Sequence, residues 1–231
     1  MKTITILLML TLAAAYGYAQ DMQWEGKTFE LRNVSAAIID FRGERVLKVE
    51  RDLRALPFDE KNPGSTVDEP TYVKLKDFDF KDGVIEVKVF STIQQPSPFA
   101  DARGFIGLAF RVDKNDSAYE SIYLRPQLGR SDDQLARNHS VQYYAYPDFK
   151  FDRLRKEAPG RYETYADIGL NEWITLRLEV KDRKATLFIN GQKNPSFVVA
   201  NMLGTSTHGQ IALWVDIGTL GYFKDLKVSK L

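Results

Sequence analysis

Apolar and polar residues alternate with a period of two along most of this chain, the repeat of a half-buried β-strand. In Gly104–Val112, Ile106, Leu108, Phe110 and Val112 share one face while Gly107, Ala109 and Arg111 take the other. Glu172–Val180 repeats the pattern with Ile174, Leu176, Leu178 and Val180, Lys184–Gly191 with Ala185, Leu187 and Ile189, and Gln210–Asp216 with Ile211, Leu213 and Val215. Tyr222–Val228 predicts a closing strand. Earlier, Val34–Phe41 and Val46–Val49 read as a hairpin turned at Gly43, and Thr71–Leu75 and Gly83–Phe90 flank the turn signal Phe78–Gly83. Helical periodicity is nearly absent; Asp132–Arg137 fits one short turn, with the Asp132-Asp133 pair supplying its N-cap or pairing with Arg130 or Arg137. Many short strands separated by turns predict an all-β fold, an antiparallel two-sheet sandwich.

Two more strands lie in the middle. In Tyr119–Arg125, Ile122 and Leu124 face the core, so Ser121, Tyr123 and Arg125 point outward. In Ser140–Tyr146, Val141, Tyr143 and Ala145 face inward, leaving Gln142, Tyr144 and Tyr146 outward. Trp173 and Trp214 also fall on outward parity. Long connections at 50–70, 91–103, 126–138 and 147–161 interrupt the pattern. The segment 50–70 is expected to cross an edge or one end of the sandwich.

Composition narrows the functional classes. The chain has 231 residues, 32 of them basic and 31 acidic, a net charge of +1, and no block of like charge, which gives no support for a nucleic-acid partner. It has no cysteine, so disulfides and thiolate metal sites are excluded and the core must hold the domain unaided. Lys2, the apolar run Ile4–Ala15 and the small residues Gly17 and Ala19 read as a signal peptide over residues 1–19, too short in its apolar part for a membrane anchor. A secreted or periplasmic domain over 20–231 follows. No metal or cofactor is expected: Asp132-Asp133 lacks calcium-loop spacing.

The strands Tyr72–Val89, Gly104–Phe110, Glu172–Leu178, Ala185–Gly191 and Gly221–Val228 resemble the concanavalin A-like lectin/glucanase superfamily, the jelly roll shared with laminin G-like domains. They are also similar to bacterial 3-keto-disaccharide hydrolase domains. The resemblance implies a jelly-roll sandwich and carbohydrate as partner. Glucanases of this superfamily set two carboxylates on one strand face, about 5–5.5 Å apart in retaining enzymes. Here Glu86 stands alone in Ile85–Val89, with Lys88 where the second would be, and the Gln-x-His signature of alginate lyases on this fold is absent.

The chemistry concentrates in 119–165, which holds seven tyrosines, six arginines and His139. If the two central strands lie side by side, Tyr123, Arg125, Gln142 and Tyr144 share one concave surface with Arg111, His139 opens it, and Asn138 and Arg155 stand at its rim. Aromatic rings stack on sugar faces, while Gln and Arg bind hydroxyls and carboxylates. The same residues would equally make an ordinary sheet face stabilised by cross-strand pairs. His139 is suited to proton transfer near neutrality, or to structural hydrogen bonds. His208 reads as a turn residue. Three functions stay open: a carbohydrate-binding or carbohydrate-processing module, a glycoside hydrolase of the 3-keto-disaccharide type or uronate polysaccharide lyase, and a laminin G-like protein-interaction module.

Overall fold

The computed structural model describes residues 21–231; the expected signal peptide lies outside the described residues. In chain order the elements are β1 (Asp21–Trp24), β2 (Lys27–Arg32), β3 (Val34–Phe41), β4 (Glu44–Arg51), β5 (Tyr72–Leu75), β6 (Gly83–Ile93), β7 (Ile106–Val112), β8 (Tyr119–Leu124), α1 (Pro126–Gly129), α2 (Gln134–Asn138), β9 (Val141–Tyr146), α3 (Phe151–Glu157), β10 (Glu163–Thr164), β11 (Ile174–Lys181), β12 (Lys184–Ile189), β13 (Phe197–Val199), β14 (Gln210–Val215) and β15 (Thr219–Lys230). They form two antiparallel sheets. One has eight strands in the order β1-β2-β5-β14-β7-β8-β9-β10; the other has seven, β13-β12-β11-β6-β15-β4-β3. This is the antiparallel two-sheet sandwich that the alternation predicts, with the jelly roll that the resemblance implies.

Local chemistry accounts for the elements. The β3–β4 hairpin closes on Arg42 and Gly43 at φ 56° and 80°, the paired left-handed values that match strand twist. Asp133 caps α2 by accepting the Leu135 N–H at 2.9 Å. The inward residues expected from parity, among them Leu108, Phe110, Ile122, Leu124, Leu176, Leu178, Leu187 and Leu213, are all buried in one core.

The two sheets differ in what covers their outer faces. In β11 buried residues alternate with half-exposed ones, so the seven-stranded sheet shows solvent its outer side. In β7 and β8 every residue is buried. The segment between β4 and β5, expected at an edge, instead lies across the outer face of the eight-stranded sheet. Trp214 Nε1 donates to Glu69 O at 2.9 Å, Tyr119 Oη to Asp68 O at 3.3 Å, and Tyr146 Oη to Glu69 Oε2 at 3.1 Å. Arg51, at the end of β4, pins this irregular segment. Its guanidinium donates to the carbonyls of Leu56, Pro57 and Thr66 at 3.3, 3.3 and 2.6 Å, and pairs with Asp216 at 2.9 Å.

Candidate functional site

Register places the central strands as expected. Tyr123 faces Gln142 and Ser121 faces Tyr144 across β8 and β9. Tyr123, Gln142 and Tyr144 therefore share one side of the sheet, and the rings of Tyr123 and Tyr144 meet edge to face with centroids 5.7 Å apart. Trp214 packs against both, at 4.9 and 5.8 Å. The expectation of an open aromatic groove does not hold. The segment 52–70 covers this face, leaving Tyr123, Gln142 and Tyr144 at most 2% exposed. The face is a second packed layer, with its hydroxyls bonded to the covering segment, to Arg125 and to one another; Tyr119 and Tyr144 Oη are 3.1 Å apart.

Arg111 leaves the shared surface altogether. The register shifts between Gln210 and Ala212, and Arg111 takes φ 53°, a bulge that re-aims its side chain. It donates to the carbonyls of Lys81 and Asp182 and pairs with Asp82 at 3.1 Å. Trp173 sits on the other sheet, among Phe41, Phe90 and Tyr222.

What remains open is a cleft of about 360 Å³ at one end of the covered face. Phe99, Phe105, Tyr123 and Phe151 supply aromatic walls, Arg103, Arg125 and Arg155 supply positive charge, and His139, Asp68 and Asp216 add titratable groups. Gln142 stands behind the wall: its amide donates to Tyr143 O and Tyr162 O at 2.8 and 3.0 Å, which orients Oε1 to accept from Arg125 at 3.2 Å. Both Arg125 and Arg155 lean on the Phe151 ring, their guanidinium carbons 5.3 and 5.2 Å from its centroid.

His139 closes α2. Its carbonyl accepts from Arg125 Nη1 at 2.9 Å, and its Nδ1 lies 2.6 Å from Glu163 Oε2, near enough for an ion pair but off the direction of a hydrogen bond. Arg155 Nη2 donates to the same Glu163 oxygen at 3.0 Å. His139 and Arg155 also line a second cleft of about 510 Å³, with Asn138, Glu163, Leu135 and Tyr165. They form a wall common to both spaces. Helix α3, which carries Phe151 and Arg155, lies where the sequence shows only a connection at 147–161.

Two buried carboxylates complete the first cleft. Asp68 adopts φ 55°; its N–H donates to Asp216 Oδ2 at 3.0 Å, and its Oδ2 accepts from the Phe151 N–H at 2.9 Å. Burial pushes the Asp68 carboxyl up to about 7, and the Asp216 charge adds to this against the opposing Phe151 amide, Arg125 and Lys150. Asp216 is pushed up by burial too, against the Arg51 charge and the Asp68 and Ile217 amides. Sequence reasoning missed Asp68, Asp216 and Glu163. Asp216 shares outward parity with Trp214 and was legible on that ground; Glu163 and Asp68 lie in irregular or barely regular chain and carried no periodic signal.

No protein-family model and no curated protein matches this chain. Solved structures do. A carbohydrate-binding module, CBM66, from Bacillus subtilis superposes with a TM-score of 0.52 at 11% identity, over 87% of this chain and 97% of its own. A Bacillus subtilis protein of unknown function with a galectin-like fold gives a TM-score of 0.49 at 12% identity, over 86% and 87%. A β-glucanase from Bacillus licheniformis gives 0.44 at 13% identity, over 95% and 95%. At such identities the likeness is one of fold, and the fold is the two-sheet jelly roll.

Proposed function

We propose that this protein binds carbohydrate in the cleft between the segment 52–70, the 94–105 loop and α3, and that it does so outside the cytoplasm. The observation that carries the reading is the make-up of the cleft: aromatic rings of Phe99, Phe105, Tyr123 and Phe151 set among Arg103, Arg125 and Arg155. Ring faces cover the apolar side of a sugar while the charged groups bind its oxygens. Tyr123, Arg125, His139 and Arg155 would contact the ligand. Gln142 and Tyr144 would act from behind by fixing Arg125 and Tyr123, and Asn138 would meet a longer chain in the second cleft. The carbohydrate-binding module of like fold supports the reading. The leader-like residues 1–19 support export.

Titration of the protein against purified oligosaccharides tests this. At least one should bind, and Phe151→Ala should weaken it about fivefold, since a ring contact is worth on the order of 1 kcal/mol. Failure of every glycan to bind would end the proposal.

A second reading is glycan processing, favoured by Asp68: a carboxyl pushed up to about 7 inside the cleft is poised to give or take a proton near neutral pH. Release of new reducing ends from a bound glycan, lost in Asp68→Asn with binding retained, would establish it.

A further inference from the structure

Three arginines are buried: Arg51, Arg111 and Arg125, at 5%, 4% and 5% exposure. A guanidinium keeps its charge under all ordinary conditions, so each needs an anion or pays for its desolvation. Arg51 pairs with Asp216 at 2.9 Å and Arg111 with Asp82 at 3.1 Å. Arg125 pairs with no carboxylate among the described residues. Its Nη1 donates to His139 O and Gln142 Oε1 at 2.9 and 3.2 Å, and its Nη2 to Tyr123 Oη at 2.5 Å, all neutral acceptors. Its Nε–H donates to nothing among the described residues. Arg155 brings a second cation to the same Phe151 ring, but that charge is answered by Glu163 at 3.0 Å.

Asp68, an acid of the same cleft, does not cancel Arg125. Asp68 is faced by Asp216, Arg125 and Lys150, with Glu69 beside it already paired to Lys150. Its burial against Asp216 keeps it partly protonated around neutral pH. One fixed positive charge is thus built into the wall of an aromatic cleft and left without its counter-charge.

We infer that the ligand is an anionic saccharide whose single negative charge, a uronate carboxylate or a sulfate ester, pairs with Arg125 while its ring lies against Phe151 and Phe105. This deepens the carbohydrate reading and rests on it. The neutral hydrogen bonds to Tyr123, Gln142 and the His139 carbonyl hold the fork in place, so binding gains an ion pair without ordering a long side chain.

The test compares matched ligands by calorimetric titration: trigalacturonate and trimannuronate against their methyl esters, and a sulfated galactan oligosaccharide against its desulfated form. At least one acidic member should bind, and removing its charge should weaken binding by about tenfold or more, the scale of one charge-assisted hydrogen bond. Which pair responds separates carboxylate from sulfate. Arg125→Gln should bind the acidic and neutral members alike; should that variant fail to fold, the matched pairs on the wild-type protein decide alone. A neutral member that binds as tightly as its acidic partner overturns this inference and leaves the carbohydrate reading standing. If no sugar binds but malonate raises the melting temperature of the wild type and not of Arg125→Gln, the carbohydrate reading falls and the anion site stands. If neither sugars nor malonate act, both fall.

Discussion

Asp68 occupies a buried left-handed turn at φ 55°, with its carboxyl pushed up to about 7 by burial and by Asp216. An aspartate in the unfolded chain titrates near ~3.9. Between about pH 4 and pH 7 the folded protein therefore keeps a proton that the unfolded chain has released, and stability falls as pH rises through that window. The fall stops once the folded carboxyl has ionised too. Asp216, also pushed up, contributes with the same sign. Asp68→Asn keeps the shape, tolerates the left-handed backbone and removes the titration. Chemical denaturation of this variant should give a flatter dependence of stability on pH over that window, and an unchanged slope would mean that Asp68 is not its source. Tyr144 carries a related lesson. Its outward parity suggests a side chain free to change, yet it is fully buried, with its hydroxyl 3.1 Å from that of Tyr119.

At the scale of the element, Arg51 ties down the first part of the segment 52–70, whose end is held by Trp214, Tyr119 and Tyr146. Arg51 gathers the carbonyls of Leu56, Pro57 and Thr66 and carries the charge that answers Asp216. Arg51→Met should cost ~3–5 kcal/mol, because it strands a buried carboxylate and frees three carbonyls. It should also open 53–66 to limited proteolysis before the sandwich unfolds. A stable variant with an uncut segment would show that other contacts hold the cover. This element also marks what was legible from sequence. Alternation told which residues of β8 and β9 share a face, because the pleat fixes parity. It could not tell what lies over that face, since the covering chain is irregular and is placed by long-range contacts such as Trp214 with Glu69 and Tyr119 with Asp68. Arg111 was misplaced because a bulge with φ 53° breaks the parity on which its assignment rested. Asn138, His139 and Arg155 gather near Arg125 because α2 and α3 return the chain to one end of the sheet.

The whole molecule has an inter-sheet core and a second packed layer outside the eight-stranded sheet. With no disulfide available, these two layers carry its stability. Leu178 lies in the first, fully buried in the middle of β11 between β12 and β6. Leu178→Ala should lower the unfolding free energy by ~2–5 kcal/mol. A loss below about 1 kcal/mol would place Leu178 outside the tightly packed interior.

The second layer also has an optical consequence. Trp214 sits within 4.9 and 5.8 Å of the Tyr123 and Tyr144 rings, close enough to collect their excitation, and its indole N–H is bonded to the covering segment through Glu69 O at 2.9 Å. With Trp24 and Trp173 replaced by phenylalanine, its emission would come from an apolar pocket and would move toward longer wavelength whenever 52–70 lifts and water reaches the ring. The protein thus carries its own fluorescent gauge of whether that cover is down.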